Sequence, residues 1–297
     1  MCGIAGIFIS DRANLDKLRL IEEMTNVLHH RGPDDNGYFR NEKIALGHRR
    51  LSIIDLSSNA RQPMFNEDDS LALVFNGEIY NFQELRKQLI KKDHIFKSNS
   101  DSEVILHLYE EYGVDCPKYL EGMFAFGIYD LRKGTLYLAR DRVGEKPLYY
   151  LKDQTGFYFS SEIKSFFALD TFHKNISSAG ILAYFNNNQI PAPQTIYDGV
   201  NKLQSAKWLL IQPDGSEKSE TYWQIDCSKK TQVSLIEAKS QLKDLMSDSV
   251  KKMLVSDVPV GIMLSGGVDS SLVVALAKER GGENLTTFTV GNNTNNT

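Results

Sequence analysis

The chain has 297 residues, enough for two domains at about 150 residues each. Its 41% hydrophobic and 24% charged residues suit an ordinary soluble globular protein, and a formal net charge of −4 gives no reason to expect nucleic acid or an acidic membrane surface as partner. No apolar run reaches the ~18 residues of a membrane span, and the charges and turn residues that follow the first apolar stretch argue against a secretory signal. The three cysteines, Cys2, Cys116 and Cys227, are odd in number and widely spaced, which speaks for a reducing cytoplasm and against a disulfide framework or a zinc site. The six histidines show no metal-ligand spacing, so no metal site is expected.

Residues 2–9 alternate loosely and predict a strand that begins with Cys2. A side chain as small as that of Cys2 normally permits removal of Met1, which would put a thiol and a free α-amino group on one carbon. Their reference pKa values are about 8.5 and about 7.7–8.0, so the amine can take the thiol's proton near neutrality, directly or through water. The plainer reading is a small apolar cysteine at the start of a buried strand. Leu15, Leu18, Ile21, Met24, Val27 and Leu28 recur at helical spacing, and His29-His30-Arg31-Gly32-Pro33 ends that helix. Asp34-Asp35-Asn36-Gly37 reads as a turn.

Residues 43–55 predict a strand, a tight passage at Gly47 and a second strand. Alternation along it turns Arg49 and Arg50 to opposite sides; an inward arginine could grip a carboxylate bidentately, while two solvated edge arginines is the bland alternative. Leu71–Phe75 is the most strand-like segment and runs into Asn76-Gly77-Glu78-Ile79-Tyr80-Asn81. Asn76-Gly77 is either a hairpin turn or a pair of N–H donors to a developing oxyanion, each donor worth about 2.7–4 kcal/mol. Helices are expected over 82–92 and 102–112; Ser100 or Asp101 between them could cap the second helix or present a carboxylate to a substrate ammonium. Hairpins follow at 123–130/135–141 and 147–151/156–160, then a helix over 178–186 and strands near 196–197 and 206–212.

From Ser234 the apolar positions Leu235, Ala238, Leu242, Leu245, Val250, Met253 and Leu254 predict another helix, closed by Asp257-Val258-Pro259. Val260–Leu264 is a short strand, Ser265-Gly266-Gly267-Val268-Asp269-Ser270-Ser271 follows at once, and a helix continues to about Arg280 before a strand near 286–290. Strand, glycine-rich loop and helix is an arrangement whose backbone N–H groups bind phosphate, though it could also be a simple turn with Asp269 set against the helix dipole.

Taken in order, Cys2-Gly3-Ile4, His30-Arg31-Gly32-Pro33-Asp34, Gly47-His48 through Asp55, Asn76 through Asn81, Ser100-Asp101 and Arg140-Asp141 resemble the glutaminase domain of N-terminal-nucleophile glutamine amidotransferases, in the form found in glutamine-hydrolysing asparagine synthetases. The resemblance covers nearly all of the first 200 or so residues and implies an α+β, four-layer αββα sandwich, with 2–228 as the glutaminase domain. It implies that Cys2 attacks the glutamine amide, that Asn76 and Gly77 form the oxyanion hole, and that Arg50, Ile53, Glu78 and Asp101 bind the rest of glutamine, with Arg49 unassigned. Ser265-Gly266-Gly267-Val268-Asp269-Ser270 looks like the pyrophosphate loop of ATP pyrophosphatases. On that likeness 229–297 begins an α/β ATP-binding domain, with Leu264, Ser265, Gly266, Gly267, Asp269 and Ser270 at ATP, and Mg²⁺ as its companion; the glutaminase half needs no cofactor. Glutamine, aspartate and ATP are the implied substrates, the cytoplasm the implied location, and a homodimer a candidate assembly. The family continues for a few hundred residues past the closing Asn292–Thr297 stretch, so asparagine synthesis is not expected from these residues alone. An amidotransferase for another carboxylate, a glutaminase alone, or a non-catalytic remnant are the competing readings.

Overall fold

The computed structural model describes residues 1–9, 16–228, 230–281 and 285–291. They divide into two compact units, Met1–Gln224 and Ile225–Thr297, a few residues ahead of the boundary expected at 228. In chain order the first unit contains β1 (Gly3–Ile9), α1 (Lys17–Asn26), β2 (Asp35–Arg40), β3 (Ile44–Arg50), β4 (Met64–Phe65), β5 (Leu71–Ile79), α2 (Phe82–Ile90) and α3 (Glu103–Tyr112). It continues with β6 (Gly122–Asp130), β7 (Thr135–Arg140), β8 (Tyr149–Lys152), β9 (Gly156–Ser160), α4 (Ser178–Asn187), β10 (Val200–Lys202), β11 (Lys207–Ile211) and β12 (Glu217–Thr221).

The strands form two six-stranded sheets, ordered β10-β8-β9-β1-β3-β2 and β12-β11-β7-β6-β5-β4. The registered neighbours in both run antiparallel. Strand alternation then builds the four layers. Ile4 and Phe8 of β1 point between the sheets with Leu46, Val74, Ala125, Leu138 and Phe159. Ala5, Ile7 and Ile9 point the other way, onto Leu20, Ile21 and Met24 of α1. On the outer face of the second sheet, Phe75, Phe124, Phe126 and Trp208 meet Leu85 and Leu89 of α2 and Val104, Ile105 and Leu108 of α3. Both faces of β1 are therefore buried, which is why its sequence alternates only loosely. Truncating one of the fully buried aromatic side chains, Phe124 or Trp208, would cost about 3–5 kcal/mol.

Several local expectations change in the folded chain. Asp35, Asn36 and Gly37 are strand, not turn: they pair with Arg50, Arg49 and His48, and a strong neighbour overrides their turn preference. Gly47 is no passage between two strands but an interior position of β3, paired on one side with Ala5 and on the other with Tyr38; residues 51–55 leave the sheet. Asn76-Gly77 is not a hairpin tip either, since β5 continues to Ile79 and pairs throughout with β6. Near 196–197 there is only a single bridge, Ile176 to Tyr197, and the strand lies at β10 instead. Leu15 of the first helix pattern and the Asn292–Thr297 tail lie outside the described residues.

The second unit contains α5 (Leu235–Met253), β13 (Gly261–Met263), α6 (Val268–Gly281) and β14 (Thr286–Phe288). Ser234 and Glu237 make a capping box at the start of α5. That helix stops at Met253, ahead of the Asp257-Val258-Pro259 signal, and Leu254 N–H bonds back to the Val250 carbonyl. β13 and β14 run parallel. The buried core is small: Val250, Leu276 and Ala277, with Met246, Ile262 and Val273 packed beside them.

Candidate functional site

At one end of the first unit a cavity of about 250 Å³ is lined by residues from both sheets and the loops that leave them, among them Met1, Cys2, Arg50, Ile53, Asn76, Gly77, Glu78, Asp101 and Lys146. Every residue assigned to the glutaminase half on resemblance lines it. The positions come from four separate places in the chain: the start of β1, the end of β3 with the loop after it, the last third of β5, and the residues just ahead of α3.

The Cys2 sulfur lies 3.4 Å from the Leu51 amide, which donates to it, and 3.7 Å from the Leu51 carbonyl. The Cys2 carbonyl accepts from Arg31 Nε at 2.9 Å, and Glu162 holds that guanidinium from the other side at 3.0 Å. This accounts for Arg31 in the His30-Arg31-Gly32-Pro33 run: it fixes the backbone that carries the thiol. Burial pushes the Cys2 thiol above its ordinary value, against the Leu51 N–H, which favours the thiolate. Burial has the opposite effect on the Met1 amine, which is lowered, with Lys146 and Arg31 adding to the shift. An amine in this pocket is thus biased toward its neutral, proton-accepting form while the thiol keeps its proton.

Asn76 is completely buried, and neither its amide nitrogen nor its amide oxygen has a hydrogen-bond partner among the described residues. A buried amide without partners costs several kcal/mol unless something is brought to it. Gly77 is fixed by close packing: a Cβ there would sit 2.2 Å from the Met123 carbonyl oxygen, on the paired strand. Behind Asn76, His48 of β3 reaches across the inter-sheet layer to the Phe75 carbonyl at 3.1 Å. Burial drives its pKa down to about 3, so it is a neutral imidazole whose Nε2–H donates to that carbonyl.

Arg50 and Arg49 part company as alternation requires. Arg50 Nη1 donates to the Ser57 carbonyl at 2.9 Å and Nη2 to the Asp55 carbonyl. Arg49 turns to the opposite face of the sheet, toward the Thr25 carbonyl and Asn26. Asp55 organises the loop that receives Arg50, accepting from Ser57 Oγ at 2.6 Å and from the Asn99 amide at 2.7 Å. Asp101 does not cap α3 through its side chain; its Oδ2 accepts the Ile79 amide at 2.8 Å. Burial lifts its pKa to about 7, opposed by that N–H and reinforced by Glu78. Glu78 is itself raised by burial, with Lys146 pulling the other way.

Lys146 is a charged pocket residue that sequence reasoning missed. It sits in a loop whose Gly144 and Pro147 look like ordinary turn chemistry. The loop is built by Arg140 and Asp141. The buried Asp141 carboxylate accepts the amides of Phe124, Val143, Gly144, Glu145 and Lys146 at 2.6–3.2 Å. Arg140 donates to the carbonyls of Gly144, Lys146 and Leu203 at 2.5–2.7 Å. The Arg140-Asp141 pair is the available signal, since these two side chains gather the amides and carbonyls of the loop that carries Lys146.

In the second unit the Ser265–Ser271 loop joins β13 to α6. Gly266 has φ +81°, a left-handed conformation that favours glycine, and nothing lies within 4 Å of where its Cβ would be. Ser265 and Ser270 hydroxyls are 3.0 Å apart, and Ser270 Oγ also accepts the Ser265 amide at 3.3 Å. Leu264 N–H donates to the Phe288 carbonyl at 2.8 Å, tying the strand end to β14. The mouth of the loop faces the N-terminus of a 14-residue helix, where amide groups without helical partners gather.

Comparison with known proteins gives these arrangements a family. The glutamine amidotransferase domain profile matches residues 1–223, and the asparagine synthase profile matches residues 241–296. The chain is 40% identical to asparagine synthetase [glutamine-hydrolyzing] 1 of Bacillus subtilis over 293 residues, covering 98% of this chain and 46% of that protein. It is 39% identical to putative asparagine synthetase [glutamine-hydrolyzing] 2 of Methanocaldococcus jannaschii, covering 98% of this chain and 60% of the relative. The chain therefore spans about half the length of the curated relatives it matches. Among solved structures, glutamine phosphoribosylpyrophosphate amidotransferase of B. subtilis aligns with a TM-score of 0.55 at 20% identity, over 97% of this chain and 65% of that one, which is a likeness of fold. On these matches and on the two-sheet sandwich described above, the chain belongs to the glutamine amidotransferase domain family, and the residues after that domain match the asparagine synthase profile.

Proposed function

We propose that the first unit hydrolyses glutamine to glutamate and ammonia with Cys2 as nucleophile, and that the ammonia serves an ATP-dependent amidation of aspartate in the manner of the asparagine synthetases. One observation carries the reading: the buried, partnerless amide of Asn76 lines the same small cavity as the Cys2 thiol. Removal of Met1 would expose the Cys2 α-amine beside its own sulfur. The thiol proton passes to that amine as sulfur attacks the glutamine side-chain carbonyl. Asn76 Nδ2 and the Gly77 amide stabilise the oxyanion. The amine returns the proton to the departing nitrogen, ammonia leaves, and water cleaves the thioester to glutamate.

Arg50 pairs with the glutamine α-carboxylate, Asp101 and Glu78 receive its α-ammonium, and Ile53 lines the wall. Lys146, close enough to bias Glu78, sets the charge balance at the ammonium end. In the second unit the loop fits a phosphate chain: Ser265, Gly266, Gly267 and Ser270 would hold it through amides and hydroxyls at the N-terminus of α6, while Leu264, whose N–H is committed to the Phe288 carbonyl, would line the site without donating to it. ATP, when bound, activates the acceptor carboxylate as an adenylate. Mg²⁺ is usually held by one or two carboxylates together with phosphate oxygens, and Asp269 is the carboxylate this loop supplies. The free thiols of Cys2, Cys116 and Cys227 suit a reducing cytoplasm. Among the described residues no helix is long and apolar enough to cross a membrane.

The test is glutamate release by the full chain and by Asn76→Ala. Loss of one oxyanion donor should cut kcat by about 10²–10³-fold with KM little changed. Turnover within twofold of the parent would remove Asn76 from the chemistry.

A further inference from the structure

On the far side of α3 from its N-terminal end, three segments distant in sequence converge. Glu67 comes from the turn between β4 and β5, His94 from the loop after α2, and His107 and Glu110 from α3. One ligand atom from each of the four lies within 4.8 Å of all the others. Glu110 Oε2 is 2.8 Å from His107 Nδ1 and 3.4 Å from His94 Nδ1. Glu67 carboxylate oxygens are 3.6 Å from each of the same two nitrogens. A tetrahedral ion with bonds of about 2.0–2.1 Å sets its ligand atoms about 3.3 Å apart, and these separations bracket that edge.

The surroundings hold the four groups in place. The second oxygen of Glu110 accepts from Asn66 Nδ2 at 2.7 Å, and Glu67 Oε1 accepts the Ile95 amide at 2.8 Å. His94 turns Nδ1 inward and directs Nε2 to Glu111 at 3.2 Å, the outer carboxylate that metal-bound imidazoles commonly have. His107 is wholly buried, also turns Nδ1 into the cluster, and leaves its Nε2 without a hydrogen-bond partner among the described residues, 4.0 Å from Glu103. The two rings lie 4.8 Å apart between centroids. A ligand held at Nδ1 would set the tautomer, with the proton on Nε2, on the side of Glu103.

We propose that Glu67, His94, His107 and Glu110 bind one divalent transition-metal ion, with zinc the best match to a two-imidazole, two-carboxylate set. The ion ties the loop after α2 and the β4–β5 turn to α3. Nothing in the sequence spacing announces it, since the ligands come from three elements. The site is structural and separate from the glutamine pocket, and its fate does not depend on that of the glutaminase reading.

The experiment uses the full chain, stripped with a chelator and titrated with Zn²⁺ and separately with Co²⁺. Both tryptophans, Trp208 and Trp223, lie in the first unit, so their fluorescence reports its melting alone. Zinc should bind at one per chain, and free zinc at a hundredfold excess over Kd should raise that Tm by about 5–10 °C. The shift should vanish in Glu67→Gln and in His94→Gln, both near the rim, even if His107→Ala fails to fold. Bound cobalt should show visible d–d bands without thiolate charge transfer. No Tm shift, a shift that survives both rim variants, or a thiolate band placing the ion on a cysteine would each overturn the proposal; the first would leave a hydrogen-bonded histidine–carboxylate cluster.

Discussion

Asp101 carries the pH dependence of the pocket. Burial raises its pKa to about 7, with Glu78 adding to the shift. A neutral Asp101 cannot pair with the glutamine ammonium, so kcat/KM for glutamine should climb as pH rises through about 7. The effect on the fold has the opposite sign. A carboxyl whose folded pKa lies above its unfolded value of about 3.9 binds more protons when folded. Its contribution to stability is complete below that unfolded value and is lost as pH rises through about 7. Asp101→Asn should therefore raise KM, remove the alkaline climb in kcat/KM, and flatten the fall in stability between pH 4 and 7. A variant that keeps both slopes would mean that another group titrates there.

At the scale of elements, the site depends on β5 running unbroken past Asn76. Asn-Gly suits a hairpin tip as well as a pair of oxyanion donors, and it is pairing with β6, which no local pattern reveals, that removes the hairpin reading. Gly77→Ala would drive a Cβ to 2.2 Å from the Met123 carbonyl and 2.8 Å from the Phe124 Cα, backbone atoms that cannot rotate away. We expect a loss of about 1–3 kcal/mol in urea unfolding and a larger proportional loss of glutamate release, because the Gly77 amide is displaced. Parental stability together with parental turnover would show that β5 tolerates a side chain here. The same scale explains what the sequence withheld. Cys2, Arg50, Asn76 and Asp101 stand in short runs whose order is informative, and the alternation rule separated Arg50 from Arg49. β2 and β12 were invisible, because Asp35-Asn36-Gly37 has turn composition and Glu217–Thr221 is an exposed polar strand. They are strands by virtue of their neighbours β3 and β11. Lys146 escaped notice for a related reason, since its burial is set by the Arg140 and Asp141 contacts rather than by its own surroundings in sequence.

The two units differ in how well they bury apolar surface. The first has three extensive clusters between its layers. The second has a small one, and Ile236, Val268 and Val290 are more than 80% exposed. Such surface favours self-association and lowers the cost of local opening. Limited proteolysis of the full chain should cut first between 225 and 234, ahead of α5, where Ile225 and Val233 are exposed. It should leave a fragment that contains both tryptophans and releases glutamate. First cuts inside 1–224 would contradict a self-sufficient first unit.

The central claim is that Cys2, freed of Met1, is the nucleophile that hydrolyses glutamine. Its most direct test is the mass of the N-terminal peptide after reaction with a glutamine-like diazoketone, read beside residual glutamate release. The expected result is a peptide that begins at Cys2, carries one adduct on that residue, and comes from protein whose glutaminase activity has fallen in step with labelling. An adduct on Cys116 or Cys227, or a retained Met1 in protein with undiminished turnover, would contradict it.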